Sequence, residues 1–211
     1  MIRIIAYTAL LAVTAAAAYL WFVPRSVDKA PINIATADIA LAQFAGGCFW
    51  CTEADFEKLD GVIEVISGYA GGSAETASYT QTSAGGTDHR EVVQVQYDPN
   101  TVSYKQLADY HLRHIDPTDN EGQFVDRGYV YSPAIFYETV IEKAEAELAL
   151  AQLNELNVFE GDVAIPIEAA PTFYVAEDYH QDYYLKNPTR YNFYRNGSGR
   201  TGFLESTWGN Q

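Results

Sequence analysis

The stretch Ala45-Gly46-Gly47-Cys48-Phe49-Trp50-Cys51-Thr52-Glu53 holds both cysteines of the 211-residue chain, so any thiol chemistry starts there. The mostly apolar run before it, Ile39 to Phe44, reads as a strand, and Thr52 to Leu59, with Phe56 and Leu59 on its inner side, reads as a helix. Cys48 then sits at a strand-to-helix turn. First-turn N–H groups of a helix lack intrahelical partners and carry partial positive charge, which favours a thiolate and lowers a cysteine pKa. Cys48 is the candidate nucleophile, and Cys48 with Cys51 reads as a redox pair. The same spacing is half of a zinc site, but zinc wants four ligands and the chain has no third cysteine. His111 and His114 fall in an apolar helical pattern with no thiol nearby in sequence, so no metal is expected.

Working outward, Val62-Ile63-Glu64-Val65-Ile66 is a β-branched run, which makes a β-α-β beginning. Gly68 through Gly86 is rich in Gly, Ser and Thr and reads as a long functional loop. Glu91 to Pro99 alternates and stops at a turn, and Tyr104 to Ile115 has helical spacing. Val130 to Tyr137 supplies a further strand. The order β-α-β-β-α-β predicts an α+β fold, an α/β sandwich with a ferredoxin-like core. Thr139 to Leu156 is a clear helix, Ala176 to Leu185 is helix-like, and the aromatic, polar tail from Tyr179 forms a C-terminal extension without a strong period.

The formal charge is -15, and residues 1–24 contribute only Arg3 to it. Phosphate backbones would be repelled, so no nucleic-acid partner is expected. Ile4 to Val23 is uncharged and about the length a helix needs to cross a bilayer. Residues 1–24 are read as a membrane anchor, and 25–37 as a tether to one domain over 38–211. The competing reading is a signal peptide cleaved near the Ala15 to Ala18 run, giving a secreted protein. Against cleavage, Tyr19 to Val23 continues the apolar stretch, and Trp21 suits an interfacial belt. Either way the domain is expected to be exported, to the periplasm if anchored. There the cysteine pair could oxidise and a reductant must be supplied.

Several motifs then resemble one family. Gly47-Cys48-Phe49-Trp50, Gly68-Tyr69-Ala70-Gly71-Gly72, His89-Arg90-Glu91-Val92-Val93 followed by Tyr97-Asp98-Pro99, and Gly122-Gln123-Phe124-Val125-Asp126-Arg127-Gly128 together look like peptide-methionine (S)-S-oxide reductase, the A-type methionine sulfoxide reductase. Ala176-Glu177-Asp178-Tyr179-His180-Gln181 extends the match. Five motifs in the family's order are highly specific.

The resemblance implies attack by Cys48 on a sulfoxide sulfur. Sulfoxide oxygen leaves poorly until protonated, so an acid must sit beside the thiol, and Glu91 matches the family's acid. Tyr69 and Tyr131 match two phenols that hydrogen-bond the sulfoxide oxygen, and Asp126 matches a supporting polar position. Phe49 and Trp50 match an apolar pocket for the S-methyl group. Attack leaves methionine and a sulfenic acid on Cys48, which condenses with a nearby thiol. Family members often carry resolving cysteines near the C-terminus, whereas Asn196 to Gln211 has none, so an intramolecular cycle leaves Cys51 as resolver. The implied partners are methionine sulfoxide, free or in proteins and peptides, and a thioredoxin-like reductant. No cofactor and a monomer are expected.

Two other classes compete. A membrane-tethered thioredoxin-like thiol-disulfide oxidoreductase would use Cys-x-x-Cys with Ala170-Pro171-Thr172-Phe173 as its proline turn, but that proline stands too far from the cysteines and the strand order differs. A tethered binding module with an aromatic cleft leaves Cys48, Glu91 and Tyr69 unexplained.

Overall fold

The computed structural model describes residues 39–163 and 165–209. The predicted anchor and tether lie outside them. Among the described residues, no helix is long and apolar enough to cross a membrane.

Six strands form one sheet: β1 (Ala40–Ala45), β2 (Val62–Ala70), β3 (Arg90–Tyr97), β6 (Ala134–Tyr137), β7 (Ile167–Ala169) and β8 (Phe173–Val175), in the spatial order β7-β6-β1-β3-β2-β8. A small hairpin, β4 (Gly122–Gln123) with β5 (Asp126–Arg127), stands apart from it. All neighbours in the main sheet are antiparallel except β6 and β7. Alternation along β3 divides the core: Val93, Val95 and Tyr97 join the main cluster, while Val92 faces a smaller one with Ala45, Ala70 and Phe136.

Helix α1 (Phe49–Phe56) and α3 (Tyr104–Arg113) contribute Phe49, Phe56, Leu107 and Leu112 to the main cluster. The long α4 (Val140–Leu156) adds Ala146, Ala149 and Leu153. Both α3 and α4 start on capping boxes, Ser103 with Gln106 and Thr139 with Glu142, in which side chains and backbone N–H groups satisfy each other reciprocally.

Several boundaries differ from expectation. β2 runs on to Ala70, because Gly68, Tyr69 and Ala70 pair with β3 on one side and β8 on the other. The rest of the expected loop contains helix α2 (Tyr79–Ser83). The strand expected from Val130 is a 3-10 turn over Tyr129–Tyr131 before the short β6. Of the helix expected over Ala176 to Leu185, only its end is helical, in α5 (Tyr183–Lys186). The tail forms α6 (Pro188–Gly197) and α7 (Arg200–Trp208).

This C-terminal extension clasps the front of the molecule. Gln181 accepts the Ser67 N–H and donates to the Ser67 carbonyl, the Asp182 N–H reaches Glu53, and Arg195 pairs with Asp55. Glu53 and Asp55 both lie on α1, so the tail fixes the helix that carries the cysteines.

Candidate active site

Cys48 is the N-cap of α1, at the end of the Gly46-Gly47 turn. Gly47 has φ +83°, and a Cβ there would lie 2.5 Å from the Gln123 Cβ, so glycine is what lets the β4–β5 hairpin close on the turn. The Gln123 side chain bolts that hairpin down, accepting the Asp116 N–H and donating to the Asp116 and Asp119 carbonyls. Asp126 is thereby held at the site.

The Glu91 carboxylate accepts the Phe49 N–H at 2.9 Å. Glu91 is 3% exposed, and its burial, countered by that hydrogen bond and reinforced by the charges of Asp126 and Cys51, pushes its pKa up to about 8. It therefore holds a proton at neutral pH beside the thiol.

Both cysteines are free and buried, and they hydrogen-bond to each other. Here the helix-start expectation for Cys48 is corrected. Burial, the Cys51 hydrogen bond and the repulsion that Cys51, Glu91 and Asp126 exert when ionised hold Cys48 protonated, well above an ordinary thiol. The Cys48 side chain makes no capping bond, and the Phe49 N–H that could stabilise its thiolate is bonded to Glu91. Cys51 is the lower of the pair, brought to about 7 by the Cys48 hydrogen bond against burial, with Arg200 and Arg195 assisting.

Tyr131 and Tyr79 border the same space. Burial raises both phenols above an ordinary tyrosine, and the charges of Glu91, Cys48 and Asp126 act on each. Tyr79 was missed in the sequence because it sits in the segment read as loop. Tyr69 departs from expectation in the opposite way: its hydroxyl donates to Glu177 at 2.9 Å. Glu177 also accepts the Tyr79 N–H at 3.0 Å, so Tyr69 supports the residue that positions Tyr79. Asp126 accepts a hydrogen bond from Tyr194, and burial raises its carboxyl.

Phe49 and Trp50 meet on His180. The Phe49 and His180 ring centroids are 4.8 Å apart, and Trp50 stacks on Tyr183 at 3.7 Å. The Trp50 indole N–H donates to His180 Nδ1 at 2.9 Å, which leaves the imidazole proton on Nε2, facing Glu177. Tyr79 and Tyr179 cover the same imidazole at 4.6 and 4.2 Å. The arrangement is an aromatic wall beside a thiol, a protonated carboxyl and two phenols.

The sequence pattern described as "Peptide methionine sulfoxide reductase" matches residues 40–211. The chain belongs to that family. It is 44% identical over 209 residues to a Vibrio cholerae "Peptide methionine sulfoxide reductase MsrA/MsrB", covering 99% of this chain and 55% of that protein. It is 48% identical over 170 residues to a Staphylococcus aureus "Peptide methionine sulfoxide reductase MsrA 2", covering 81% of this chain and 96% of that one. The reduced form of Mxr1 from Saccharomyces cerevisiae superposes with a TM-score of 0.66 at 30% identity, covering 78% of this chain and 91% of the other. Methionine sulfoxide reductase A of Corynebacterium diphtheriae gives 0.62 at 29% identity, covering 71% and 76%. This chain is thus an A-type methionine sulfoxide reductase, reducing methionine sulfoxide by thiol chemistry, and the thioredoxin-like alternative is left without support.

Proposed function

We propose that Cys48, Glu91 and the phenols of Tyr79 and Tyr131 carry out reduction of the S epimer of methionine sulfoxide, with Cys51 closing the cycle. The observation that carries this reading is the Glu91 carboxyl on the Phe49 N–H, which puts an acid that is protonated at neutral pH next to Cys48. Substrate enters with its S-methyl group against Phe49 and Trp50 and its oxygen toward Glu91, Tyr79 and Tyr131. Cys48 sulfur attacks the substrate sulfur while Glu91 protonates the oxygen, the Cys48 thiol proton passes to Glu91, and the oxygen, as hydroxyl, is transferred to Cys48 as the sulfur–oxygen bond of the substrate breaks and methionine departs. Asp126, held by Tyr194, is a supporting acidic group. Tyr69 acts behind this set, through Glu177.

The sulfenic acid on Cys48 condenses with Cys51. A thioredoxin-like reductant then reopens the disulfide. The strand order β6-β1-β3-β2, with α1 and α3 as the connecting helices, supports a ferredoxin-like core. We further read 1–24 as an anchor, 25–37 as a tether and 38–211 as an exported, monomeric catalytic domain, supported by the uncharged run Ile4 to Val23. Product analysis with separate S and R sulfoxide epimers tests the assignment. Methionine from the S epimer alone is expected, and equal consumption of both would overturn it.

A further inference from the structure

Arg90 precedes Glu91 on β3 and, by the alternation of a strand, lies on the opposite face of the sheet, with Val92 and the smaller core cluster. It is 7% exposed, and four residues engage its guanidinium. Nη1 and Nη2 donate to the two Glu168 carboxylate oxygens at 2.8 and 3.0 Å, Nε donates to the Ser132 hydroxyl at 2.9 Å, and the Tyr129 and Phe136 ring centroids lie 4.5 and 5.9 Å from the central carbon. Two parallel hydrogen bonds to one carboxylate fix the plane of the fork as well as pairing its charge. Glu168 reaches it from β7, whose register against β6 sets Glu168 opposite Phe136.

The fork so fixed grips the 3-10 turn over Tyr129–Tyr131 at both ends: the ring of Tyr129 at its start and the hydroxyl of Ser132 at its C-cap. The Ser132 hydroxyl, accepting from Arg90, donates in turn to the Tyr129 carbonyl at 2.7 Å, which also accepts the Ser132 N–H at 3.0 Å. Tyr131 lies between the two gripped residues, and its own N–H donates to the Gly128 carbonyl at 2.9 Å. Its backbone is therefore held through its neighbours.

We propose that Arg90 is the positioning residue for the Tyr131 phenol: holding Tyr129 and Ser132 from the far face of the sheet, it fixes where Tyr131 meets the sulfoxide oxygen, and Glu168 keeps the fork in the required plane. The inference rests on reading Tyr131 as a donor to the substrate and deepens it. Tyr131 lies within electrostatic reach of Glu91, Tyr79, Asp126 and Cys48, the groups of the site. Consecutive residues of β3 thus take separate parts, Glu91 holding the proton on one face and Arg90 setting the phenol from the other. Arg90 touches neither the substrate nor the reacting atoms.

Magnitudes separate positioning from plain stabilisation. The Glu168 side chain is 42% exposed, so as an ion pair it is screened and adds little to stability. Direction is another matter, because a donor displaced by about 1 Å can lose about 10²-fold in rate. A lysine at position 90 would keep the charge but is a point donor, unable to serve the Ser132 hydroxyl and both Glu168 oxygens in one plane.

The test is a double-mutant cycle on the single-turnover burst with the S epimer, in the full chain. Arg90→Met keeps the stem and removes the fork, and it should slow the burst about tenfold at an unchanged half-saturating sulfoxide concentration, within the about 10²-fold expected of Tyr131→Phe. Ser132→Ala removes only the Nε acceptor and should slow the burst in the same way, by less. Arg90→Lys should remain slow. In a Tyr131→Phe background Arg90→Met and Ser132→Ala should cost nothing further, because the phenol they position is gone. A role confined to folding would cost the same factor in either background. That additive result, or the parent burst from a folded Arg90→Met protein, overturns the proposal, and if Arg90→Met does not fold, Ser132→Ala decides by the same comparison. A Tyr131→Phe protein with the parent burst would instead defeat the reading of Tyr131 as a donor, and the proposal with it.

Discussion

The Glu91 carboxylate accepts the Phe49 N–H at 2.9 Å, one residue beyond Cys48. One peptide therefore fixes the group that keeps its proton at neutral pH and the thiol it must serve. Glu91 is also the cross-strand partner of Tyr69, so β2 and β3 bring the acid and the Tyr69–Glu177 support to the same end of the sheet.

Glu91→Gln preserves shape and removes the titrating proton. The chemical step should slow by roughly 10²- to 10⁴-fold, with much less change in substrate binding. In the parent chain the burst rate should fall as pH rises through about 8, because the acid is lost there. The Gln variant should lack that alkaline limb. Rapid-quench measurement across pH checks both.

The same carboxyl predicts a stability effect of definite sign. The folded state keeps the Glu91 proton up to about 8, whereas an unfolded chain releases it near 4.3. Between these values the folded state binds more protons, so this residue's contribution to stability is lost progressively as pH rises. Glu91→Gln should therefore be the more stable protein at pH about 8, with the difference vanishing near pH about 4. Denaturant midpoints that differ by the same amount at both pH values would contradict it.

The two phenol positions should separate by kinetics. On the proposed mechanism Tyr79→Phe and Tyr131→Phe each remove a donor to the developing oxygen charge, and each should cost about 10²-fold in the burst. Tyr69→Phe leaves both donors in place and instead deprives Glu177 of a charge-assisted partner, a loss of about 1.5–3 kcal/mol of stability with a smaller effect on the burst. A Tyr69 variant as slow as the other two would return Tyr69 to direct contact with substrate.

Much of this site was legible because its chemistry sits in short motifs. Gly47-Cys48-Phe49-Trp50 marks a strand-to-helix turn by its glycines, and Glu91 sits in an alternating strand whose buried face is set by Val93 and Val95. Tyr79 was not legible, since α2 has five residues and no apolar period to signal it. The tail was hidden for a related reason: α6 and α7 bury few side chains and are held by specific polar bonds, Arg195 to Asp55 and Arg200 to Gly46 and His114. Hydrophobic patterning reports a continuous buried face, and these helices dock through a few polar bonds and scattered aromatic contacts instead. The titration order of the thiols was also out of reach, because it depends on where Arg200, Glu91 and Asp126 lie in space.

Cys51→Ser should release about one methionine per enzyme in a burst and then stall with thioredoxin as reductant. Sustained turnover at the parent rate would show that resolution proceeds without Cys51.

The central claim is that Cys48 attacks the sulfoxide even though Cys51 is the thiol of lower pKa in the resting site. Single-turnover methionine release from the S epimer, compared between Cys48→Ser and Cys51→Ser, tests it most directly. The account predicts about one methionine per enzyme from Cys51→Ser and none from Cys48→Ser. A burst from Cys48→Ser, with none from Cys51→Ser, would make Cys51 the nucleophile and contradict it.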